Sequence, residues 1–155
     1  MANSLTMPSH IELSEQLKSE YNVEMLNPLS SDLSVMRQSM LFSGLESIRY
    51  NLNRKRRDLK LFEFGKTYHS YVSGRVENKH LSIFVSGNQS GESWNSAGQK
   101  GTFFYLKGVI EVIFQRLSIK NLKAAASKND VFKAFSMKIS TFFEFIFVSS
   151  FFVKI

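Results

Sequence analysis

The chain contains no cysteine among its 155 residues. Disulfide bonds and thiolate metal sites are therefore excluded, and the absence suits a reducing compartment. The first residues also lack a basic stretch followed by an apolar run, so no signal peptide is predicted and a cytoplasmic location is expected. The length is that of one domain, or of a piece of one, with enough residues to bury a sizeable core.

Motifs of catalysis and metal binding are absent as well. His10, His69 and His80 are scattered and lack the i, i+4 pair of a zinc-binding helix. The polar string from Gly87 to Gly91 is not a G-x-S-x-G elbow, and no glycine run ends in Gly-Lys-Ser or Gly-Lys-Thr, as a phosphate-binding loop requires. The sequence therefore predicts no catalytic residue and no metal site.

The net charge of +7 is unevenly distributed along the chain. Residues 1–48 carry two Lys or Arg against six Asp or Glu, whereas the remainder carries eighteen against seven. Clustered cations are compatible with nucleic acid or with an acidic protein partner. Composition alone is explained more simply by solvated surface residues.

A turn, a helix, a basic segment and a strand follow one another in the central part of the chain. Asn27-Pro28 favours a turn, and the serines and the aspartate after it offer N-cap oxygens to a helix predicted from Val35 to Asn53. One buried face of this helix is indicated by steps of four, three and four between Leu41, Leu45, Ile48 and Leu52. We expect four polar side chains of this helix to point away from the buried face, those of Arg37, Gln38, Glu46 and Arg49.

Two strands and a second helix are predicted after the first helix. The first strand runs from Leu59 to Tyr68, the stretch from Tyr71 to Lys79 is expected to be a turn, and the second strand runs from His80 to Ser86. Alternation at period two predicts that this second strand is half-buried, and the short separation favours an antiparallel hairpin. The second amphipathic helix is indicated by Leu106, Val109, Ile110, Ile113 and Leu117. Together these elements predict an α+β fold.

The segments outside this series have weaker patterns. A short helix from Ile11 to Glu20, capped by Ser9, and a short strand from Tyr21 to Leu26 are expected. The loop from Gly87 to Gly101 is polar apart from Trp94, which we expect to cover the edge of the core rather than to stack on a base.

Five blocks of sequence resemble one known family over about forty residues. They are Asn27-Pro28-Leu29-Ser30, Met36-Arg37-Gln38-Ser39-Met40, Gly44-Leu45-Glu46, Tyr50-Asn51-Leu52-Asn53-Arg54 and Leu61-Phe62-Glu63-Phe64-Gly65-Lys66. Their order and spacing resemble the core domain of the beta subunit of bacterial phenylalanine–tRNA ligase. The resemblance extends back to Asn3 and forward, through Trp94 and the Lys107-Gly108 pair, to about Asn129.

The resemblance implies a fold and a set of structural residues. The fold would be an antiparallel sheet flanked by helices, similar to a degenerate class II aminoacyl-tRNA synthetase catalytic domain. The family's motif positions, interpreted as structural, are Asn27, Pro28, Arg37, Gly44, Asn51, Glu63, Gly65, Lys107 and Gly108. In the family's alpha subunit a G-R-x-Y-R pattern ends in an arginine that grips ATP, but the similar string here ends in His69. Neutral imidazole lacks the permanent forked charge of arginine, which argues against adenylate chemistry at this point.

The basic segment Arg54, Lys55, Arg56 and Arg57 has three candidate roles. Cations at a helix C-terminus complement the exposed carbonyls and the macrodipole, so they can simply end the helix. They could also neutralise the phosphates of a tRNA, or dock on an acidic surface of the alpha subunit. Helix termination is the simplest of the three.

The last part of the chain departs from the family in composition. Eight of the fifteen phenylalanines lie between Phe132 and Phe152. We expect residues 1–130 to form the class II-like core and residues 131–155 to form a Phe-rich tail containing a buried strand, since the apolar run is too short to span a membrane. The change in composition suggests a truncated or frame-shifted end, and the Phe-rich tail predicts self-association.

The sequence thus predicts a fragment of a beta subunit that serves as a non-catalytic scaffold and associates with the alpha subunit. The intact enzyme would charge tRNA with phenylalanine, using ATP and Mg²⁺ on the alpha subunit, while this fragment would hold no cofactor. Two alternatives are a free-standing basic RNA-binding module and an independent ATP-using enzyme. His69 speaks against the second, and the first lacks basic and aromatic residues interleaved on one strand.

Overall fold

The structure, a computed structural model, describes residues 3–14, 17–28, 30–91, 93–95 and 97–118, together with the backbone of three short strands near the C-terminus. The longer elements are α1 (Leu41–Leu52), β3 (Leu59–Tyr71), β4 (Gly74–Ser86) and α2 (Phe103–Arg116). Two short strands precede them, β1 (Leu5–Thr6) and β2 (Val35–Met36), and the three last strands are β5 (Ala124–Ser127), β6 (Ser136–Ile139) and β7 (Phe143–Ile146). The α+β class predicted from the sequence is confirmed.

The centre of the fold is the antiparallel hairpin of β3 and β4. Its register runs from Leu59 opposite Ser86 to Tyr71 opposite Gly74, so only two residues form the turn. The long turn predicted from Tyr71 to Lys79 is therefore wrong. Gly74 has a φ of +127°, which allows the chain to reverse at once, and the polar residues that follow it pair as a strand.

Both faces of the end of β4 are covered, because the two helices lie on opposite sides of the hairpin. Alternate residues of a strand point to opposite faces. Leu81, Ile83 and Val85 pack with one cluster, which includes Leu106, Ile110 and Phe114 of α2. Phe84 packs with the other, formed by Leu41 and Ile48 of α1 and by Leu59. The predicted half-buried strand is thus wrong, since residues 81–86 are all buried.

The first helix is shorter than predicted. It begins at Leu41, whereas Val35 and Met36 form β2 and pair with Thr6 and Leu5 of β1. The expected cap also belongs elsewhere, because Ser30 Oγ accepts from Asp32 N in a short 3₁₀ helix, Ser31–Leu33. At the C-terminal end Leu52 is exposed, although it was expected on the buried face.

The N-terminal segment contains two short 3₁₀ helices, Pro8–Leu13 and Ser19–Tyr21, in place of the helix predicted from Ile11 to Glu20. Pro8 is at the first position of the earlier one, where its fixed φ and missing N–H are tolerated, and Ser9 lies inside it rather than capping it. The strand expected from Tyr21 to Leu26 is reduced to a single bridge between Glu24 and Val35.

The last three strands form a separate antiparallel sheet in the order β5, β6, β7. Strand β7 lies beside β4. The strand expected in the Phe-rich tail coincides with β7 only at Phe143–Ile146. The rest of that tail is outside the described residues, and the boundary at residue 130 stays a prediction.

Candidate functional site

Arg37 occupies the middle of the structure's polar interior. Its side chain is only 3% exposed, contrary to the outward direction expected from the helix periodicity. The guanidinium donates from Nε to Lys66 O at 2.9 Å and from Nη1 to Glu63 Oε1 at 3.1 Å and Asn3 O at 3.3 Å. The Arg37 carbonyl oxygen in turn accepts from Tyr68 N at 3.0 Å. Arg37 therefore joins its own segment, which lies between β2 and α1, to the N-terminal segment and to β3.

Gly65 is the position on β3 where Arg37 lies against the strand. A β-carbon at Gly65 would meet the Arg37 guanidinium and lie 2.6 Å from Met40 Cε. Arg37, Glu63 and Gly65, three residues of the family motif, are thus brought together. Because Nε and Nη1 of Arg37 donate to groups of the fold, this arrangement holds the N-terminal segment and β3 in place around Arg37.

Two other motif residues belong to α1. A β-carbon on Gly44 would run into the ring of Phe84, so glycine permits the close approach of α1 to β4. Asn51 donates from Nδ2 to Ser47 O at 2.8 Å, and its carbonyl oxygen accepts from the N–H groups of Arg54 and Arg56. These contacts close the end of the helix.

The remaining motif residues lie apart from Arg37. Asn27 and Pro28 are exposed. Lys107 pairs with Glu111 at 3.7 Å on the surface of α2, and Gly108 has open space around its α-carbon. Since α2 covers the opposite face of the hairpin, these two residues do not belong to the cluster around Arg37.

His69 is half-buried and its ring stacks on Tyr71, with 5.8 Å between centroids. Burial lowers the pKa of His69, which keeps the imidazole neutral at neutral pH. Among the described residues its Nδ1 has no hydrogen-bond partner. A neutral ring in this environment does not supply the charge that arginine would bring to ATP.

The other two histidines contact hydroxyl groups. His10 Nδ1 lies 2.6 Å from Thr6 Oγ1 and its Nε2 lies 3.5 Å from Glu46 Oε1, and His80 Nε2 lies 2.8 Å from Thr67 Oγ1. Within the part of the chain that the structure describes, no three His, Asp or Glu side chains are grouped to hold a metal ion.

Among the described residues, no helix is long and apolar enough to cross a membrane.

A cleft of about 390 Å³ lies along the side of α1 that faces away from the sheet. Its lining includes Ser39, Ser43, Ser47 and Asn51, which recur at every fourth position, and Tyr50. The sequence reasoning missed this cleft. The spacing of small polar residues along α1 was the only indication of it in the sequence. That the N-terminal segment forms the opposite wall of the cleft is shown only by the fold.

The basic segment is exposed at the C-terminal end of α1. Arg54 lies over the ring of Tyr50, 3.4 Å from its centroid, and donates from Nη1 to Tyr50 O at 3.0 Å. Lys55 has a φ of +61°, the left-handed conformation with which many helices end. In the described chain none of the four cations forms an ion pair with a carboxylate.

Trp94 is 97% exposed, so the expectation that it covers the core is wrong. It lies in the loop between β4 and α2, and the base of that loop is closed by hydrogen bonds from Gln89 N to Gln99 O at 2.7 Å and from Gly101 N to Gly87 O at 2.8 Å. The base in turn contacts the segment after α1, where Asn88 N donates to Asp58 Oδ1 at 2.7 Å.

Comparison with known proteins finds one family that matches most of the chain. The family described as the phenylalanyl tRNA synthetase beta chain CLM domain matches residues 1–139. This match ends ten residues beyond the limit expected from the sequence motifs.

Curated relatives include the phenylalanine–tRNA ligase beta subunits of Bacteroides fragilis, Bacteroides thetaiotaomicron and Porphyromonas gingivalis. Their identities to this chain are 41% over 126 residues, 38% over 141 residues and 36% over 152 residues. The alignments cover 76%, 84% and 90% of this chain. The chain spans only 15%, 17% and 18% of the length of these relatives.

Proposed function

The chain belongs to the family of phenylalanyl tRNA synthetase beta chain CLM domains, and from this premise we propose that it is a non-catalytic, class II-like core that associates with the alpha subunit of the ligase. The assembled enzyme, with the heterotetrameric organisation and cytoplasmic location expected from the family, would join phenylalanine to its tRNA. The observation that carries the proposal is the set of contacts of Arg37. A buried guanidinium that donates from Nε and Nη1 to three groups of its own chain supports a structural role.

The described residues do not fit ATP. Arg37 is buried and bonded within the chain, and His69, at the position of the expected phosphate-gripping arginine, is neutral. We therefore assign ATP and Mg²⁺ to the alpha subunit and derive no chemical step through them in this chain. A free-standing RNA-binding function is not favoured, because the matched relatives are beta subunits of a ligase.

The distribution of exposed apolar side chains supports a location for the association surface. The apolar face of α1 packs on β3 and β4 of its own domain, so it is not available to a partner. Phe62 and Phe64 lie on the other face of the hairpin, 71% and 68% exposed, with their ring centroids 6.1 Å apart. We place the contact with the alpha subunit on this pair, because burial of two phenylalanines contributes several kcal/mol, roughly 1.5–3 each, to association.

The test is co-purification of the chain with the alpha subunit of the same organism, followed by pyrophosphate exchange on the complex and on each part. We expect a stable complex and no exchange by the chain alone. Phe62→Ser with Phe64→Ser should weaken the complex at least tenfold. The matched control, Leu13→Ser with Val72→Ser, also removes two exposed apolar side chains and should leave the affinity unchanged. Exchange by the isolated chain would refute the proposal, and equal effects of the two variants would refute the location.

A further inference from the structure

One edge of β3 pairs with β4 along its whole length, whereas the opposite edge is covered for only part of that length. The covered part begins at Lys66, whose carbonyl oxygen accepts from Arg37 Nε at 2.9 Å, and continues to Tyr68, whose N–H donates to Arg37 O at 3.0 Å. Among the described residues, no neighbouring segment bonds in this way to the backbone of β3 before Lys66. The first part of β3 is therefore an open edge.

Alternation along the strand fixes the direction of the backbone groups at this edge. In an antiparallel pair one residue in two exchanges both hydrogen bonds with its neighbour, and the residues between them turn their N–H and C=O groups to the other side. Lys66 and Tyr68 are of the second kind, because their bonds go to the segment before α1. Counting back in twos, the backbone groups that face the open edge are those of Phe64, Phe62 and Lys60.

The side chains of this stretch suit burial beneath an added strand. Phe62 and Phe64 are exposed on the face of the hairpin away from α1, with their rings in an edge contact. The alternate residue Leu61 packs beneath α1. An added strand would cover the two rings and would bond to the outward N–H and C=O groups, which make an open edge a template for pairing with another chain.

We propose that an extended segment of the alpha subunit adds to β3 as a further strand, opposite residues 60–64. The segment carries apolar side chains at alternate positions, over Phe62 and Phe64, and an acidic side chain beside Lys60. In the described chain Lys60 forms no ion pair with a carboxylate, so its charge is available to the partner. This inference rests on the function proposed above, because it specifies how the alpha subunit binds at the surface assigned to it.

A second copy of this chain fits the same edge less well. Two-fold pairing with Phe62 opposite Phe62 or Phe64 of the second copy brings Lys60 diagonal to, or directly opposite, the second copy's Lys66. Like charges at these positions oppose pairing, and lysines on edge strands are a common device against it. The net charge of +7 adds to the repulsion between copies. The edge thus discriminates against its own copy and favours an acidic segment.

Amide hydrogen exchange tests the inference residue by residue, with the chain alone and in complex with the alpha subunit. In the free chain the amides of Phe62 and Phe64 should exchange freely, whereas those of Leu61 and Glu63 are protected by bonds to β4. In the complex we expect the first two to slow at least about tenfold, because they donate to the added strand. Protection of Phe62 and Phe64 in the free monomer would overturn the open edge.

Two substitutions at one position separate the backbone from the ring. Phe64→Pro and Phe64→Ala both remove the ring, but only proline also removes the outward N–H, a loss that edge positions tolerate without harm to the bonds with β4. We expect the proline variant to bind the alpha subunit at least about tenfold more weakly than the alanine variant. Equal affinities would mean that only side chains meet, and would overturn the inference.

The preference for an acidic segment has its own test. Lys60→Glu should weaken the complex about tenfold, whereas Arg75→Glu, at an exposed cation near the turn of the hairpin, should leave the affinity unchanged. Equal effects would overturn the assigned charge. Light scattering of the parent chain tests the other occupant, because a dimer with protected amides at Phe62 and Phe64 would overturn the choice of the alpha subunit.

The outcomes separate this inference from the function on which it rests. Absence of any complex with the alpha subunit would refute that function and the added strand with it. A complex in which the amides of Phe62 and Phe64 still exchange freely would refute the added strand alone. Far-UV circular dichroism of every variant verifies the fold, and if Phe64→Pro does not fold, the exchange measurement on the parent chain decides.

Discussion

Arg37 Nη1 lies 3.1 Å from Glu63 Oε1, and the two side chains are 3% and 16% exposed. They are 26 residues apart in the sequence, one just after β2 and the other in the middle of β3. The pair therefore connects the segment that leads into α1 with the strand on which α1 packs. Its position gives the arginine and the carboxylate of the motif a structural role.

Breaking this buried pair should be strongly destabilising. Arg37→Met leaves the Glu63 carboxylate and the Lys66 carbonyl without their partner, and we expect the free energy of unfolding to fall by about 3 kcal/mol. Glu63→Gln should cost somewhat less, because the amide still accepts a hydrogen bond. Urea denaturation followed by circular dichroism measures both changes.

A double variant provides the control for that pair. Arg37→Met with Glu63→Leu removes both charges together, so it should cost less than the sum of Arg37→Met and Glu63→Leu, each measured singly. Strict additivity in this cycle would show that the two side chains do not interact, contrary to the geometry.

Gly44 and Gly108 form a matched pair of helical glycines with opposite expectations. A β-carbon on Gly44 meets the buried ring of Phe84, so Gly44→Ala should destabilise the fold by about 1–3 kcal/mol. Gly108 has nothing within 4 Å of the added carbon, so Gly108→Ala should stabilise it by up to about 1 kcal/mol through helix propensity. Thermal unfolding of the two variants compares them directly, and a shift of the same sign in both would contradict the packing of α1 on β4.

The sequence predicted those parts of the fold that depend on local patterns. Apolar alternation located β3 and the end of β4, and the spacing of Leu106, Ile110 and Ile113 located α2. The start of α1 could not be obtained in this way. Residues 35 and 36 pair with a strand about thirty positions earlier, and a pairing over that distance leaves no local periodicity.

The surroundings of the candidate functional residues depend on tertiary contacts even more than the start of α1 does. From the sequence alone Arg37 is expected on the solvated surface. It is buried because β2, β3 and the N-terminal segment meet around it. Trp94 is likewise exposed, in a loop whose base is held at Asn88 and Gln89, and its neighbours in sequence do not indicate this exposure. The basic segment was visible in the sequence, but the stacking of Arg54 on Tyr50 was not.

Helix α2 has a side-chain cap at its start. Thr102 Oγ1 accepts a hydrogen bond from Tyr105 N at 3.2 Å, satisfying one of the free donors of the first turn. Thr102→Ala should therefore lower the free energy of unfolding by about 1 kcal/mol, whereas Thr102→Ser should retain most of it. Denaturation of the two variants under identical conditions is the measurement, and an equal loss in both would show that the hydroxyl is not the stabilising group.

His69 predicts a dependence of stability on pH. Burial lowers the pKa of its imidazole below the value of 6.5 of a free histidine, so the unfolded chain binds a proton more readily than the folded one. The contribution of this residue to stability is therefore complete above pH 6.5 and decreases as the pH falls from there toward the lower pKa of the folded state.

The substitution His69→Phe isolates this contribution. It keeps an aromatic ring against Tyr71 and removes the titration, so the variant should lose less stability than the parent between pH 7.5 and about 5. Urea denaturation at half-unit intervals of pH measures the difference between the two proteins, and common titrations of all other groups cancel in that difference. Parallel curves would mean that the imidazole is as free to take up a proton in the folded chain as in the unfolded one, and a steeper decline in the variant would reverse the sign expected from burial.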